Sequence, residues 1–283
     1  MTKKDSQKWK GISNFILSFL LSFLLFLFCT VLVVQNTVFN PDYMRTQLVN
    51  SQYYENSTAE AEEQFISYGS ASGFDEAFFK SVIDINDVQL KVNKSLTVLY
   101  GMANENAAAD DFEQRLNNKL LENVKSRNIA VTPETNKALK LLAKTCADTY
   151  IQTISIPYAK QLAKILQLLQ RPAIYAEAVL GALTVLTALL LFLLNRWRHR
   201  AVRIYIYSVS GSILMLTVLP SVFLISGKVR NISLISKSLY EFSVCYLNGF
   251  AFMFLEYAFL LTVVLCVLIV IYHFMMKRIY SIE

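Results

Sequence analysis

Two carboxylates lie inside apolar runs long enough to cross a membrane, and they are the residues of this sequence best suited to do chemistry. Glu256 follows the apolar run that begins at Phe252, and Glu177 lies near the start of an earlier run. A carboxylate is costly in hydrocarbon and normally faces a partner, a cavity or a protonation event. Both residues therefore predict ion coupling, proton relay or gating. The structural alternative is that Glu256 bonds a hydroxyl of a neighbouring span, such as Ser221 or Thr217, or snorkels outward, and that Glu177 is a solvated helix-end carboxylate.

The rest of the sequence offers no catalytic set. The chain has only two histidines, His199 and His273, and both are predicted on the inner side, so no Ser/His/Asp or Cys/His arrangement can form on the outer side. Phosphate-loop, dinucleotide and zinc-protease motifs are missing as well. We therefore expect a protein that is not an enzyme and has no cofactor or metal.

Long apolar runs define the fold class. The 283 residues are 54% hydrophobic and 17% charged, whereas soluble domains are about 25% charged. About 20 apolar residues in a helix cross the hydrocarbon of a bilayer. Four such runs predict an all-α, polytopic membrane protein with transmembrane helices at residues 12–35, 172–195, 202–226 and 249–276.

The basic residues give the predicted orientation, because Lys and Arg concentrate in cytoplasmic flanks. Segments 1–11, 196–201 and 277–283 are therefore predicted to be cytoplasmic, and the first span is an uncleaved signal anchor. Both termini then lie inside the plasma membrane, and residues 36–171 and 227–248 lie outside. The basic surplus beside the spans does not indicate nucleic-acid binding. The residues that determine this topology are Lys3, Lys4, Arg196, Arg198, Arg200, Arg203, Lys277 and Arg278.

Helix signals dominate residues 36–171, which hold 16 acidic and 13 basic residues up to residue 170. Asn40-Pro41 starts a helix, and Ser57 to Glu60 matches a capping box. Apolar residues from Phe78 to Leu99 recur at helical spacing and predict one amphipathic helix. Thr132-Pro133 opens another helix. We therefore expect an extracytoplasmic antiparallel helical bundle between the first and second spans, and an outer loop at 227–248 that can form an interfacial helix.

Small residues mark the faces on which the spans could pack. Ser18 and Ser22 lie one turn apart in the first span and suit close helix contact, although they could equally face lipid and bond their own backbone. Gly181, between Ala178 and Ala182, indicates close packing of the second span. The third span is similarly rich in small residues and contains Pro220, which predicts a kinked, tightly packed helix.

Cysteines and glycosylation sequons add little. Cys29 and Cys266 lie in apolar runs, whereas Cys146 and Cys245 are both predicted outside, where they could pair or stay free. The three sequons fall in predicted outer segments, as chance would also place them: Asn56, Asn93 and Asn231.

These features favour a non-enzymatic membrane protein whose outer domain senses or docks a partner protein, or which self-associates through its spans in the lipid bilayer. The alternative is a transporter or channel subunit that uses Glu256 and Glu177. One span, a large outer domain and three further spans form a layout similar to that of cell-division and lipoprotein-release ABC permeases. The similarity is of topology alone. The short turn at 196–201 and the all-helical outer domain depart from that layout.

Overall fold

Helices account for all regular structure in the computed structural model, which describes residues 3–70, 72–102, 112–156, 159–195, 197–227 and 236–280. Helices make up 88% of the described residues, which contain no strand. Within them lie ten helices: α1 (Lys3–Thr37), α2 (Pro41–Asn50), α3 (Tyr53–Ser70), α4 (Glu76–Lys80), α5 (Ile85–Leu99), α6 (Phe112–Ser126), α7 (Pro133–Ile154), α8 (Ala159–Leu194), α9 (Arg198–Ile225) and α10 (Lys237–Tyr280).

The helices divide into two units. One, which we call the membrane unit, comprises Met1–Asn40, Leu169–Asn231 and Tyr246–Glu283. The other, the inserted unit, comprises Pro41–Leu168 and Ile232–Cys245.

In the described part of the chain, four helices are long and apolar enough to cross a bilayer, which confirms the all-α prediction with four candidate spans. The apolar segments are Gly11–Thr37, Gln161–Leu194, Arg198–Ile225 and Lys237–Arg278. α8 continues through Pro172 and α9 through Pro220 without a break. Helices in hydrocarbon tolerate a proline because neighbouring groups can satisfy the freed carbonyl. Residues 228–235, in the predicted outer loop, lie outside the described part of the chain.

Serine side chains hold α1 against α9. The Ser18 and Ser208 hydroxyls lie 2.9 Å apart, and Ser212 Oγ donates to the Ser22 carbonyl at 2.8 Å. Both pairs are separated by 190 residues, so the two helices run parallel. Gly211 lets them approach, because a Cβ there would lie 2.6 Å from Ser22 Oγ. Of the two predicted roles for Ser18 and Ser22, close helix contact is the one observed.

The other predicted small-residue motif packs through its glycine only. A Cβ on Gly181 of α8 would meet the Phe28 ring of α1 at 3.2 Å. Ala178 and Ala182, on either side of that glycine, are exposed within this chain. α8 therefore keeps two small side chains exposed on its surface among the described helices.

An aromatic cluster forms the core of the inserted unit. Phe65 of α3 lies within 6.1–6.5 Å, ring centre to ring centre, of Phe79, Phe112 and Tyr150. Phe112 and Tyr150 stack at 4.2 Å, and Lys91 places its ammonium 4.3 Å from the Tyr150 ring centre. These contacts bring residues of all five helices from α3 through α7 into one core. Aromatic side chains bury large apolar areas and so stabilise it.

The single amphipathic helix predicted from Phe78 to Leu99 is wrong, because the structure has two helices there. α4 ends at Lys80 and α5 begins at Ile85. The Asp84 side chain accepts from the Asn86 backbone N–H and caps α5. The apolar spacing continues across the break, and so periodicity alone could not show where the backbone turns.

Candidate functional site

Glu177 and Glu256 are brought to the same end of the membrane unit. Asn36, in the last turn of α1, donates its Nδ2 hydrogen to the Tyr257 hydroxyl of α10 at 2.9 Å. That hydroxyl lies within electrostatic range of both the Glu177 and Glu256 carboxylates. Three helices thus contribute to one polar layer, which we call the acidic layer: Asn36, Glu177, Glu256 and Tyr257.

Among the described residues, no hydrogen bond joins Glu256 to Ser221 or Thr217, the hydroxyls named as its possible partners. Thr217 donates its hydroxyl to the Ile213 carbonyl of its own helix. The Glu256 side chain is exposed on the surface of the chain, and Glu177 is half-buried. Neither carboxylate is buried in the described structure.

A second polar layer lies toward the other end of the membrane unit. Asn14 of α1 and Asn195, which follows α8, exchange amide hydrogen bonds at 3.1 and 3.2 Å. From Asn14 to Asn36 the chain advances 22 residues, or about 33 Å of helix. The corresponding distances are about 27 Å from Glu177 to Asn195 and about 32 Å from Glu256 to Lys277. All three are close to the bilayer hydrocarbon thickness of about 30 Å.

The basic residues predicted to determine the topology lie at the Asn14 end of the membrane unit, in every case where the structure describes them. Arg198, Arg200 and Arg203 are exposed at the start of α9, and Lys277 and Arg278 are exposed near the end of α10. Lys3 and Lys4 lie in the first turn of α1. Arg196 lies outside the described residues.

Sequence reasoning missed a cavity in the inserted unit. It has a volume of about 420 Å³ and lies between residues 72–74, the end of α6 and the start of α7. Ligand cavities commonly hold roughly 300–1,000 Å³. The lining is mainly apolar, with a polar edge: Ser72, Gly73, Phe74, Asn123, Val124, Arg127, Ile129, Thr135, Ala138, Leu139 and Leu142.

Arg127 fixes the edge of this cavity. Its guanidinium donates to the Gly73 carbonyl at 2.6 Å and to Asp75 Oδ2 at 2.9 Å. Gly73 has a φ of +78°, a left-handed conformation that glycine adopts without steric cost. The glycines and serines from Gly69 to Gly73 are a turn signal in the sequence, whereas the pairing of this turn with Arg127 depends on tertiary contact.

Glu60 does not act in the predicted capping box. Ser57 lies inside α3 and its hydroxyl donates to the Tyr54 carbonyl. Glu60 instead accepts from the Ser238 backbone N–H at 2.7 Å and from the Ser236 hydroxyl at 2.8 Å. The carboxylate thus caps the start of α10, where backbone N–H groups lack helical partners.

We expect Glu60→Ala to lower the melting temperature by about 2–8 °C, because it removes this cap and leaves the Ser238 N–H without its acceptor. Glu63→Ala changes an exposed residue of the same helix and should shift the temperature by less than about 2 °C. Circular dichroism of the detergent-purified chain measures both. Equal melting temperatures would contradict the capping role.

The cysteines are free, and the possible bond between Cys146 and Cys245 is not formed. Cys146 is fully buried, and burial raises the pKa of its thiol to about 12. Cys245 donates to Gln47 Oε1 at 3.2 Å. A buried thiol that stays protonated is a poor nucleophile.

Two of the sequon asparagines already have partners. The Asn56 amide donates to Glu241, and Asn93 Oδ1 accepts from Arg45. Asn231 lies outside the described residues. No use of these sequons follows from the structure.

Comparison with protein families, curated proteins and solved structures found no match for this chain. In the described part, no group of three or more His, Cys, Asp or Glu side chains could hold a metal ion. The cavity of the inserted unit and the acidic layer of the membrane unit are two candidate functional features.

Proposed function

We propose that this chain is a non-enzymatic, multi-pass plasma-membrane protein whose inserted unit lies outside the cytoplasm and docks a partner protein. The cavity beside Arg127 is the observation that carries the proposal. Its apolar lining would accept an apolar side chain of the partner, and the Arg127–Asp75 pair at its edge would meet polar groups around that side chain. The membrane unit serves as the anchor.

The polar layers support the proposed orientation. Their separation along α1 matches the hydrocarbon thickness, so each layer would lie at one boundary of the bilayer. Five exposed basic residues of the membrane unit lie at the Asn14 end, against Arg171 at the other end, so the Asn14 end would be cytoplasmic: Arg198, Arg200, Arg203, Lys277 and Arg278. Both termini would lie inside, and the acidic layer would lie at the outer boundary.

Thiol labelling tests this orientation. Lys94 is exposed in the inserted unit, and His199 lies near the Asn14 end. A membrane-impermeant maleimide should label Lys94→Cys in intact cells and His199→Cys only after lysis. The unmodified chain serves as the background control for its own cysteines. The reverse pattern would invert the topology and overturn the proposal.

Filling the cavity tests the docking role. Ala138 is an exposed residue of its lining, and a phenylalanine there would occupy the space that the partner needs. We expect crosslinked pull-down from native membranes to lose its partner with Ala138→Phe by at least about ten-fold, the effect of roughly 1.4 kcal/mol. Ala77→Phe, at an exposed position of α4 outside the lining, should retain the partner. Equal capture by both variants, or no specific capture by the parent chain, would exclude docking through this cavity.

A transporter or channel subunit with a permease-like layout is the second candidate. It is favoured by the two carboxylates around Tyr257. Because Glu256 is exposed on the surface of the single chain, a path past it would need several copies. Ion flux in proteoliposomes that falls with Glu256→Gln would favour this function, and unchanged flux would remove its main residue-level support.

A further inference from the structure

A groove runs between α1 and α9 within the membrane unit. It has a volume of about 510 Å³ and is lined by side chains from residues 14–22 of α1 and 204–215 of α9. Both helices belong to this one unit, and the serine contacts hold them together along the same stretch. We call this space the α1–α9 groove. Its volume falls within the roughly 300–1,000 Å³ of common ligand sites.

The lining of the groove suits an apolar occupant. Ser18, Ser22 and Gly211 are small, whereas Phe15 and Tyr207 are bulky lining residues that are 75% and 62% exposed. The Ser18 hydroxyl already bonds to α9, so the lining offers mainly apolar surface. A sugar or a peptide backbone would lose hydrogen bonds to water on entering such a space. A hydrocarbon chain has none to lose.

The length of the groove matches one leaflet of a bilayer. Its lining extends over about 12 Å of α1 and about 16 Å of α9. Half of the hydrocarbon thickness is about 15 Å. The groove begins at Asn14, in the polar layer at one end of the membrane unit. An occupant would therefore reach from that boundary to about the middle of the bilayer, which is the depth of a lipid acyl chain.

Two exposed arginines lie one helical turn beyond the lining of α9. Arg200 precedes Ile204 by four residues and Arg203 precedes Tyr207 by four, and such pairs share a helix face. Side chains of a helix tilt toward its N-terminus, so both arginines are directed from the groove toward the boundary. The start of a helix also favours an anion through its dipole.

The charge of these arginines is not neutralised by the described residues. Neither Arg200 nor Arg203 forms an ion pair with another side chain of the described part of the chain. Residues 11–41 and 178–240 contain no Asp or Glu, and residues 1–10 hold one acid against four lysines. The boundary end of the groove is therefore positively charged.

We propose that the α1–α9 groove binds one acyl chain of an anionic glycerophospholipid, whose phosphate contacts Arg200 and Arg203. A guanidinium matches the geometry of a phosphate through paired N–H groups. Basic pockets between membrane helices on the cytoplasmic side bind anionic lipid headgroups in other proteins. The inference rests on the proposed location of the membrane unit in a bilayer, and it does not involve the cavity of the inserted unit.

A membrane helix of another protein fits the groove less well. Such a helix is about 10 Å wide and crosses both leaflets, whereas the groove extends through one leaflet. Only a few side chains of the helix could enter it. The arginines at the boundary end would also need a carboxylate of that helix at one particular depth, whereas every anionic phospholipid has its phosphate there.

A photoreactive lipid tests the proposal. The full-length chain would be reconstituted in phosphatidylcholine vesicles that contain a trace of phosphatidylglycerol with a diazirine in one acyl chain. The matched probe is phosphatidylcholine with the same acyl chain. We expect irradiation to crosslink the phosphatidylglycerol probe at least about five-fold more, with the adducts on residues that line the groove. Both leaflets contain the probe, so the result does not depend on the orientation of the chain.

Arginine variants test the role of charge. Arg200→Gln combined with Arg203→Gln should reduce the preference for phosphatidylglycerol to less than about two-fold. The corresponding pair of lysine substitutions should keep most of the preference, because the charge remains. Arg198→Gln is the matched control, since Arg198 is exposed in the same turn but lies 200° around the helix from Arg200. It should leave the preference unchanged.

A second pair of variants tests the groove itself. Ile204 lines the groove, and Ile204→Trp should reduce crosslinking of both probes at the lining because the larger ring occupies the space of the acyl chain. Ile16→Trp is the same substitution on α1, at a similar depth, where the side chain is 58% exposed and outside the lining. Its crosslinking should equal that of the parent chain.

Four results would overturn the proposal: equal crosslinking of the two probes, a preference that survives the double glutamine variant, adducts that map outside the groove, and full competition by soluble glycerol phosphate. The last result would assign the arginines to a free phosphate compound. A chain that fails to float with the vesicles would instead contradict the proposed membrane location. Ala138→Phe should crosslink normally, so failure of cavity docking is distinguishable from failure of this lipid site.

Discussion

Leu96→Ala should lower the free energy of unfolding of the inserted unit by about 2–5 kcal/mol. Leu96 lies on α5 and is 1% exposed, so its truncation leaves a cavity in a packed interior. Amide hydrogen exchange in α5 of the full-length protein measures the effect, because it reports the opening free energy of a single unit.

The same helix provides a matched control. Leu90 is 58% exposed, and Leu90→Ala deletes the same atoms from the surface. We expect a change of less than about 0.5 kcal/mol. Similar exchange rates in the two variants would mean that α5 does not direct Leu96 into the core.

Gly211→Leu should destabilise the membrane unit by about 1–3 kcal/mol or more, because it forces a side chain into the contact between α1 and α9. The Cβ alone would lie 2.6 Å from Ser22 Oγ and 3.5 Å from Ser22 Cβ. To admit it, the helices would have to separate, which would break the bond from Ser212 Oγ to the Ser22 carbonyl. Size-exclusion chromatography after heating in detergent measures the temperature at which the monomer peak is lost. We expect this temperature to be lower for Gly211→Leu than for the parent chain.

Gly11→Leu is the control for this substitution. A Cβ at Gly11 meets nothing within 4 Å, so a leucine there extends into open space. Its temperature of monomer loss should match that of the parent chain. If both glycine variants are equally stable, α1 and α9 do not pack through the serine contacts.

Together, the two pairs test the two units separately. The Leu96 pair reports on the aromatic and aliphatic core of the inserted unit, and the Gly211 pair reports on the polar contact of α1 with α9 in the membrane unit. Distant sites without shared partners usually contribute additively to stability. The Leu96 substitution should therefore leave the α1–α9 contact intact.

Local sequence features predicted most of the helices. Apolar runs of bilayer length indicated the four candidate spans, because hydrocarbon excludes unsatisfied backbone groups and admits only helices or closed barrels. Thr132-Pro133 predicted the start of α7, and the Thr132 hydroxyl indeed accepts from the Thr135 N–H. A helix start depends on a few adjacent residues, so its signal is local.

The candidate site residues were only partly predictable. The cost of a carboxylate in hydrocarbon singles out Glu177 and Glu256 from their positions in the apolar runs alone. Their shared position beside Tyr257 was not visible, because the pattern of a span that is apolar on every side does not show which face meets which neighbour. The cavity beside Arg127 was also hidden, since the residues that line it come from three separate parts of the chain.

By itself, the sequence determined that the protein is helical and has four segments able to span a bilayer. The reason is that both hydropathy and the length of a helix depend only on consecutive residues. Only the tertiary structure decided that Glu60 caps α10 and that α1 pairs with α9 in parallel. Both contacts join residues more than 170 positions apart. Such partners are selected by packing and hydrogen-bond geometry in three dimensions, which the order of residues does not contain.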